Sequence, residues 1–289
     1  MSRRARAKGR GETGVGRPAR AAPPLPLRLG LGLCFCLVAL ATACRSDTAD
    51  APGDAESSVT VRYEQPSTPD MGDAAFLRTR KLPEAAAASV SALVTLDPPV
   101  VMVVRSCGGE GSAYDPGARR IEICYEEISE TRALYRASGR QPSDDVLSAV
   151  TLETLFHESA HAVIDVLGLP MSVREEDRAD QFAAFMLLRD GPEGEERLIS
   201  AAQAWRLSAI TYENVDDGHE DEHSTDEQRA VNHLCYVYGA APARHAGLVG
   251  PRSLPARRAH GCAQEWKDVR AVWTAALGAG PGPHLPRRS

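Results

Sequence analysis

Two histidines four residues apart, with a glutamate directly after the first, stand in the middle of the chain as His157-Glu158-Ser159-Ala160-His161. On a helix, residues at that spacing stack on one face about one turn apart, so two imidazoles can converge on one ion. The glutamate is rotated away from the ion's centre yet reaches a water held beside it. Two nitrogens for a metal and a carboxylate that can take a proton from a neighbouring water are the equipment of zinc-dependent hydrolysis. A pattern this short also arises by chance, and the competing reading is a pair of hydrogen-bonded histidines on a buried helix. Three surrounding features count against that reading. Leu152, Leu155, Phe156, Val163 and Ile164 make the segment apolar, where bare imidazoles are costly to bury without a partner. Gly168-Leu169-Pro170 then stops the helix. The next helical segment opens Arg174-Glu175-Glu176-Asp177-Arg178-Ala179-Asp180-Gln181. It places Glu176 and Asp180 on one face of a helix able to fold back on the first. A carboxylate from there completes a His2Glu set, and one a turn later can accept the far N–H of a ligating histidine.

The arrangement resembles the gluzincin branch of the zincin metallopeptidases, whose signature is HExxH followed by ExxxD, and the likeness covers Leu152–Leu188. The wider pattern is similar to a bacterial metallopeptidase family of unknown function, through Cys107–Tyr125 and Asp221–Gly239 (DEHSTDEQRAVNHLCYVYG). The resemblance implies Zn2+ held by His157, His161 and Glu176, with Glu158 as general base and Asp180 behind a ligating histidine. The interval from His161 to Glu176 is short for a gluzincin, so Glu175 and Asp177 stand as alternatives to Glu176. The metzincin pattern is absent, because Ile164 and Leu167 occupy the positions where that group has Gly and His. A proteolytic zincin also needs an edge strand that holds the substrate backbone. In zincins it precedes the HExxH helix, which makes 112–125 the candidate. It needs a donor for the oxyanion as well, usually a downstream His or Tyr. Of His219, His223 and His233, His223 is the candidate, since Asp221, Glu222, Asp226 and Glu227 surround it in sequence and could keep it oriented or charged. The competing reading is a solvated surface histidine. His233 reads as a helix-packing residue.

The elements that must position these groups can be read around them. Leu93–Arg105 and Arg120–Tyr125 are β-branched runs broken by turn residues, and Ser112–Tyr114 can pair with the second as a hairpin. Helices follow from Asp144 through Leu167, over Arg174–Leu188, Glu195–Thr211, Thr225–Tyr238 and Gln264–Leu277. Trp266 and Trp273 on the last are seven apart, the spacing of a core-facing stripe. A few strands followed by helices predict an α+β domain, and the resemblance implies a zincin-like one: a small antiparallel sheet, then a helical half carrying the His157–His161 helix. That domain is expected over 73–277, with a flexible tether over the Ser/Thr/Pro/Asp-rich 45–72 and a loose tail over 278–289.

Residues 1–28 hold eight basic side chains and one acidic, and Leu29–Ala43 is uncharged. A basic stretch, a short apolar run and a small-residue exit predict a secretory signal over 1–44, not a membrane span. Leu40-Ala41-Thr42-Ala43-Cys44 resembles the bacterial lipobox, which implies acylation of Cys44, export and tethering to a bacterial membrane through an N-terminal lipid. The alternative is a plain signal peptide and a secreted protein. Cys107, Cys124, Cys235 and Cys262 remain in the body, an even number in an oxidising setting, and proximity favours the pairs Cys107–Cys124 and Cys235–Cys262. Residues 45–289 carry 25 basic against 38 acidic side chains. Such a body sets nucleic-acid binding aside, which needs a basic face. The expected partner is a peptide or protein substrate. Two other functions fit the same residues: a non-catalytic, metal-stabilised binding lipoprotein, and a zinc amidase acting on cell-wall peptide. Nothing in the sequence selects an oligomeric state.

Overall fold

Three valine- or isoleucine-rich runs and one three-residue edge segment build four short strands in the computed structural model, which describes residues 58–170, 173–212 and 224–278. The strands are β1 (Val59–Tyr63), β2 (Val100–Arg105), β3 (Ala113–Asp115) and β4 (Arg120–Cys124). They form one sheet in the order β1-β2-β4-β3. β1 pairs parallel to β2 and β2 parallel to β4, while β3 runs antiparallel to β4 at the edge. The class is α+β as the sequence predicts, but the sheet is mixed rather than antiparallel. The reason lies before β2. Parallel strands need a crossover, and α1 (Met71–Arg80) and α2 (Leu82–Ser91) supply it between β1 and β2. β1 itself lies within 45–72, the segment expected as a tether. Its five residues keep Val59 buried and Thr60 and Arg62 outward, an alternation too brief to stand out beside polar neighbours.

Val100, Met102, Val104, Ile121 and Ile123 all point to one face of the sheet and are buried there against the helices. The helical side continues with α3 (Glu127–Ala137), α4 (Asp144–Leu167), α5 (Glu175–Leu188), α6 (Pro192–Tyr212), α7 (Asp226–Ala240) and α8 (Ala256–Gly278). α4 starts where the Ser143 side chain accepts a hydrogen bond from the Val146 N–H, and ends at Gly168 in the left-handed conformation (φ 59°), as capping chemistry requires. It touches α2, α3, α5, α6, β3 and β4, so it is apolar almost all round. A capping box between Thr225 and Gln228 opens α7. α8 begins at Ala256, ahead of the expected Gln264, because Gly261 reads as punctuation in sequence yet lies within the helix. Trp266 and Trp273 are both buried on α8, Trp273 with its ring 4.6 Å from that of Phe182.

Among the described residues two disulfides link cysteines 17 and 27 positions apart. Cys107–Cys124 ties the loop after β2 to the end of β4, and Cys235–Cys262 joins α7 to α8. Among the described residues no helix is long and apolar enough to cross a membrane.

Candidate metal centre

Gly168 turns the chain out of α4, and α5 packs back against α4. This brings the first turns of α5 onto the histidine face of α4. His157 Nε2 and His161 Nε2 lie 3.2 Å apart. Glu176 Oε2 is 3.0 Å from the first and 3.4 Å from the second. Bonds of about 2.0–2.1 Å at tetrahedral angles separate neighbouring donors by roughly 3.3 Å. The three atoms therefore form a triangle the size of one face of a zinc tetrahedron.

The opposite nitrogens of both rings are engaged by carboxylates. His157 Nδ1 is 2.9 Å from Asp180 Oδ1, and His161 Nδ1 is 2.8 Å from Glu175 Oε1. Donation from Nδ1–H to a carboxylate leaves the Nε2 lone pair aimed at the triangle, and fixes each ring's orientation. Asp180 is buried and also accepts two bonds from Arg229 on α7, Nε at 2.8 Å and Nη2 at 2.5 Å. The guanidinium of Arg229 lies 3.5 Å from the ring centroid of Trp205 on α6, a stacked cation–π contact. Of the alternatives to Glu176, Glu175 is occupied behind His161. Asp177 pairs with Arg174 at 3.0 Å and accepts from the Ser224 hydroxyl at 2.7 Å.

The electrostatics suit a cation. Burial works against charging His157, but Asp180 and Glu176 outweigh it and push the imidazole up to about 10. Burial likewise opposes the charge on His161, and Glu176 reverses it, so this ring too rises above its ordinary value. Asp180 is held well below the carboxylate range, since Arg229 and His157 overcome the effect of burial. The donor types, their spacing and the carboxylates behind them fit a divalent ion of zinc's preferences.

Glu158 is 8% exposed and accepts no hydrogen bond from any described residue. Burial raises its carboxyl above the ordinary value, with His157 and His161 pulling the other way. Together with His157 it lines a cavity of about 370 Å³, which Glu127 and Glu130 of α3 also line. Ser112, just before β3, donates its backbone N–H to Glu127 at 2.8 Å. Burial pushes the Glu127 carboxyl up to about 7 against that bond, and the charge of Glu158 adds to the rise. Within the candidate segment 112–125, β3 takes the sheet edge and β4 an interior position. The Tyr114 hydroxyl donates to Asp165 Oδ2 at 2.8 Å, tying that edge to α4.

Sequence reasoning missed Arg229 and the pair below it. Glu153, one turn before His157 on α4, accepts from His233 Nε2 at 2.9 Å and Trp205 Nε1 at 3.4 Å. No local signal marks Arg229, whose neighbours one turn away are the polar residues Thr225, Asp226, Asn232 and His233. His233 is fully buried, in keeping with a packing role. His219, His223 and Cys44 lie outside the described residues.

Residues 63–277 match the model of a family described as "Putative metallopeptidase". No curated protein and no solved structure matches the chain. The family match takes in every residue of the donor triangle and of the shell behind it, and well over half of the sequence. The chain thus belongs to this family.

Proposed function

We propose that the protein is an exported zinc metallopeptidase, anchored to a bacterial membrane by lipid on Cys44, that hydrolyses peptide bonds in peptide or protein substrates. The observation that carries this reading is the triangle of His157 Nε2, His161 Nε2 and Glu176 Oε2, with separations of 3.0–3.4 Å. These three residues would hold the ion. Zinc bound there supplies a Lewis acid for the scissile carbonyl and lowers the pKa of a water.

The chain's own residues do the rest. Glu158 accepts the proton of the attacking water on its carboxylate and returns it to the leaving nitrogen. Its burial favours the first of these steps, because a carboxyl raised above its usual pKa is a stronger base toward the water's proton than a solvated one. Asp180 and Glu175 keep the two imidazoles in the tautomer that presents Nε2. Arg229 holds Asp180, and Trp205 holds Arg229. The open edge of β3 is the place for the substrate backbone to add as a further strand, and His223 is the proposed donor to the oxyanion. The Cys44 exit sequence supports a place in the cell envelope.

The test is the metal content of the purified protein, measured by elemental mass spectrometry beside casein hydrolysis. About one zinc per chain, lost in Glu176→Ala, supports the site. Glu158→Gln is expected to keep the metal and to lose about 10²–10⁴-fold in kcat. A wild-type protein that takes up no metal when zinc is offered, or a fully active Glu158→Gln, overturns the reading.

A further inference from the structure

Outside the donor triangle, the cavity beside Glu158 is the feature with the most unexplained chemistry. Its volume of about 370 Å³ sits at the small end of ligand pockets, roughly 300–1,000 Å³. That is room for a side chain or a chain terminus, not for a folded partner. The walls are divided in character. Leu134, Val150 and Ala204 give apolar surface, whereas Glu127, Glu130 and Glu158 give carboxylates. Among the described residues none of these three carboxylates forms an ion pair.

The other charges lining the cavity are already matched. Glu153 faces His233 and Trp205, and Arg229 is taken by Asp180. Glu127 is pinned by the backbone N–H of Ser112, not by a cation. Glu158 supplies an independent indication, because it is more than nine-tenths buried, faces the cavity, and has no hydrogen-bond donor among the described residues. A buried carboxylate without a partner is expensive. The two cationic groups of the wall, Arg229 and His157, are already engaged by Asp180 and Glu176, which leaves the three carboxylates to set the field in the space enclosed. The similar acidic group of Glu153, Asp180 and His233 has no such deficit, since Arg229 already provides its cation.

An occupant must therefore be positive at one end and apolar along its length. Lysine and arginine have that form, with a charged head on a methylene stem. A peptide's free N-terminal amine offers the same charge without the stem. Resting on the peptidase reading above, we infer that this cavity is a substrate subsite for a cationic group, recognised by Glu127 and Glu130 next to Glu158. The protein would then select peptides bearing lysine, arginine or a free amine near the scissile bond.

The experiment uses matched fluorogenic peptides that differ at one position beside the cleaved bond, with Lys, Gln or Glu there, each in N-acetylated and free-amine form. They are assayed with the zinc-loaded wild type, Glu127→Gln and Glu130→Gln. Glu130 is exposed, so its substitution leaves the packing intact even if Glu127→Gln folds poorly. The expected result is a kcat/KM at least tenfold higher for a cationic peptide than for its Gln counterpart, falling to threefold or less in the variants. A Lys-over-Gln preference that survives N-acetylation assigns it to the side chain, and a free-amine-over-acetylated preference shared by the Lys and Gln peptides assigns it to the amine. Equal cleavage of all four Lys and Gln peptides, acetylated and free alike, or a preference unchanged in both variants, overturns the subsite. The same peptides are titrated into the wild-type protein by calorimetry, which keeps this inference separate from hydrolysis. If no peptide is cleaved, the peptidase reading fails, while tenfold tighter binding of the cationic peptide still upholds the subsite and equal binding overturns it.

Discussion

At the scale of single residues, the chemistry depends on a chain of contacts that runs from Trp205 through Arg229 and Asp180 to His157. Each member holds the next in a fixed orientation, and its far end sets where one metal-binding lone pair points. Asp180→Asn keeps the shape but removes the charge that Arg229 and His157 share. The expected outcome is a 10–100-fold weaker affinity for zinc, by competition with a chromogenic chelator. A loss of about 1–3 kcal/mol in stability should accompany it, measured by urea denaturation, because Arg229 loses its hydrogen-bonded carboxylate and keeps only Glu153, at 3.9 Å. Unchanged affinity would remove Asp180 from the site. The near part of this chain was legible in sequence, since His157, His161, Glu176 and Asp180 are tied by helical spacing within 24 residues. The positions of Glu175 and Asp177 were not, because neighbouring carboxylates at a helix start share one sequence signal and differ only in the rotamer each adopts. Arg229 lies 49 residues beyond Asp180, and no local spacing announces a pairing of that range.

At the scale of elements, α4 explains why so much of the site could be read. Its cap, its apolar density and its Gly stop are all local signals, so its start and end fall where the sequence puts them. The sheet is the opposite case. Pairing β1 with β2 is a decision between segments about 40 residues apart, and a parallel register follows from the crossover that α1 and α2 make, not from anything in the strands. The helical half is also fastened by a charge cluster that spacing does not reveal. Glu195 in the first turn of α6 accepts from Arg244 at 2.5 Å and from His245 at 2.7 Å, in the segment after α7. Burial raises its carboxyl, but these two partners outweigh it and hold it below the usual carboxylate value. A depressed folded pKa gives stability that is present above the unfolded value of about 4.3 and is lost as pH falls below it. Glu195→Gln is therefore expected to cost about 1–3 kcal/mol at pH 7, with the gap to wild type closing below about pH 4. Denaturant curves at the two pH values decide it, and a gap that is independent of pH would show that the carboxylate's charge is not what fastens α6.

At the scale of the whole molecule, the ion would act as one more cross-link between α4 and α5, and how much the fold relies on it follows from what already joins them. α4 is buried among six other elements, Asp180 and His157 bond directly across the two helices, and Arg229 fastens the pair to α7. Two disulfides restrain the sheet side and the α7–α8 side independently. A domain held by that many contacts keeps its fold when the ion is removed, unlike small domains whose folding energy is metal binding itself. Zinc at 100–1,000 times its Kd should then raise the unfolding free energy by about 2.7–4.1 kcal/mol. For a domain of this size that corresponds to a Tm increase of roughly 5–15 °C. The measurement is a thermal scan with zinc and with chelator, following far-UV circular dichroism. Chelated protein should show an unchanged spectrum at 25 °C and a lower Tm, and Glu176→Ala should show the lower Tm under both conditions. A protein that unfolds on chelation at 25 °C would mean that the triangle of His157, His161 and Glu176 is assembled by the ion rather than by the helices. The shell of Asp180, Glu175 and Arg229 would then be its consequence instead of its cause.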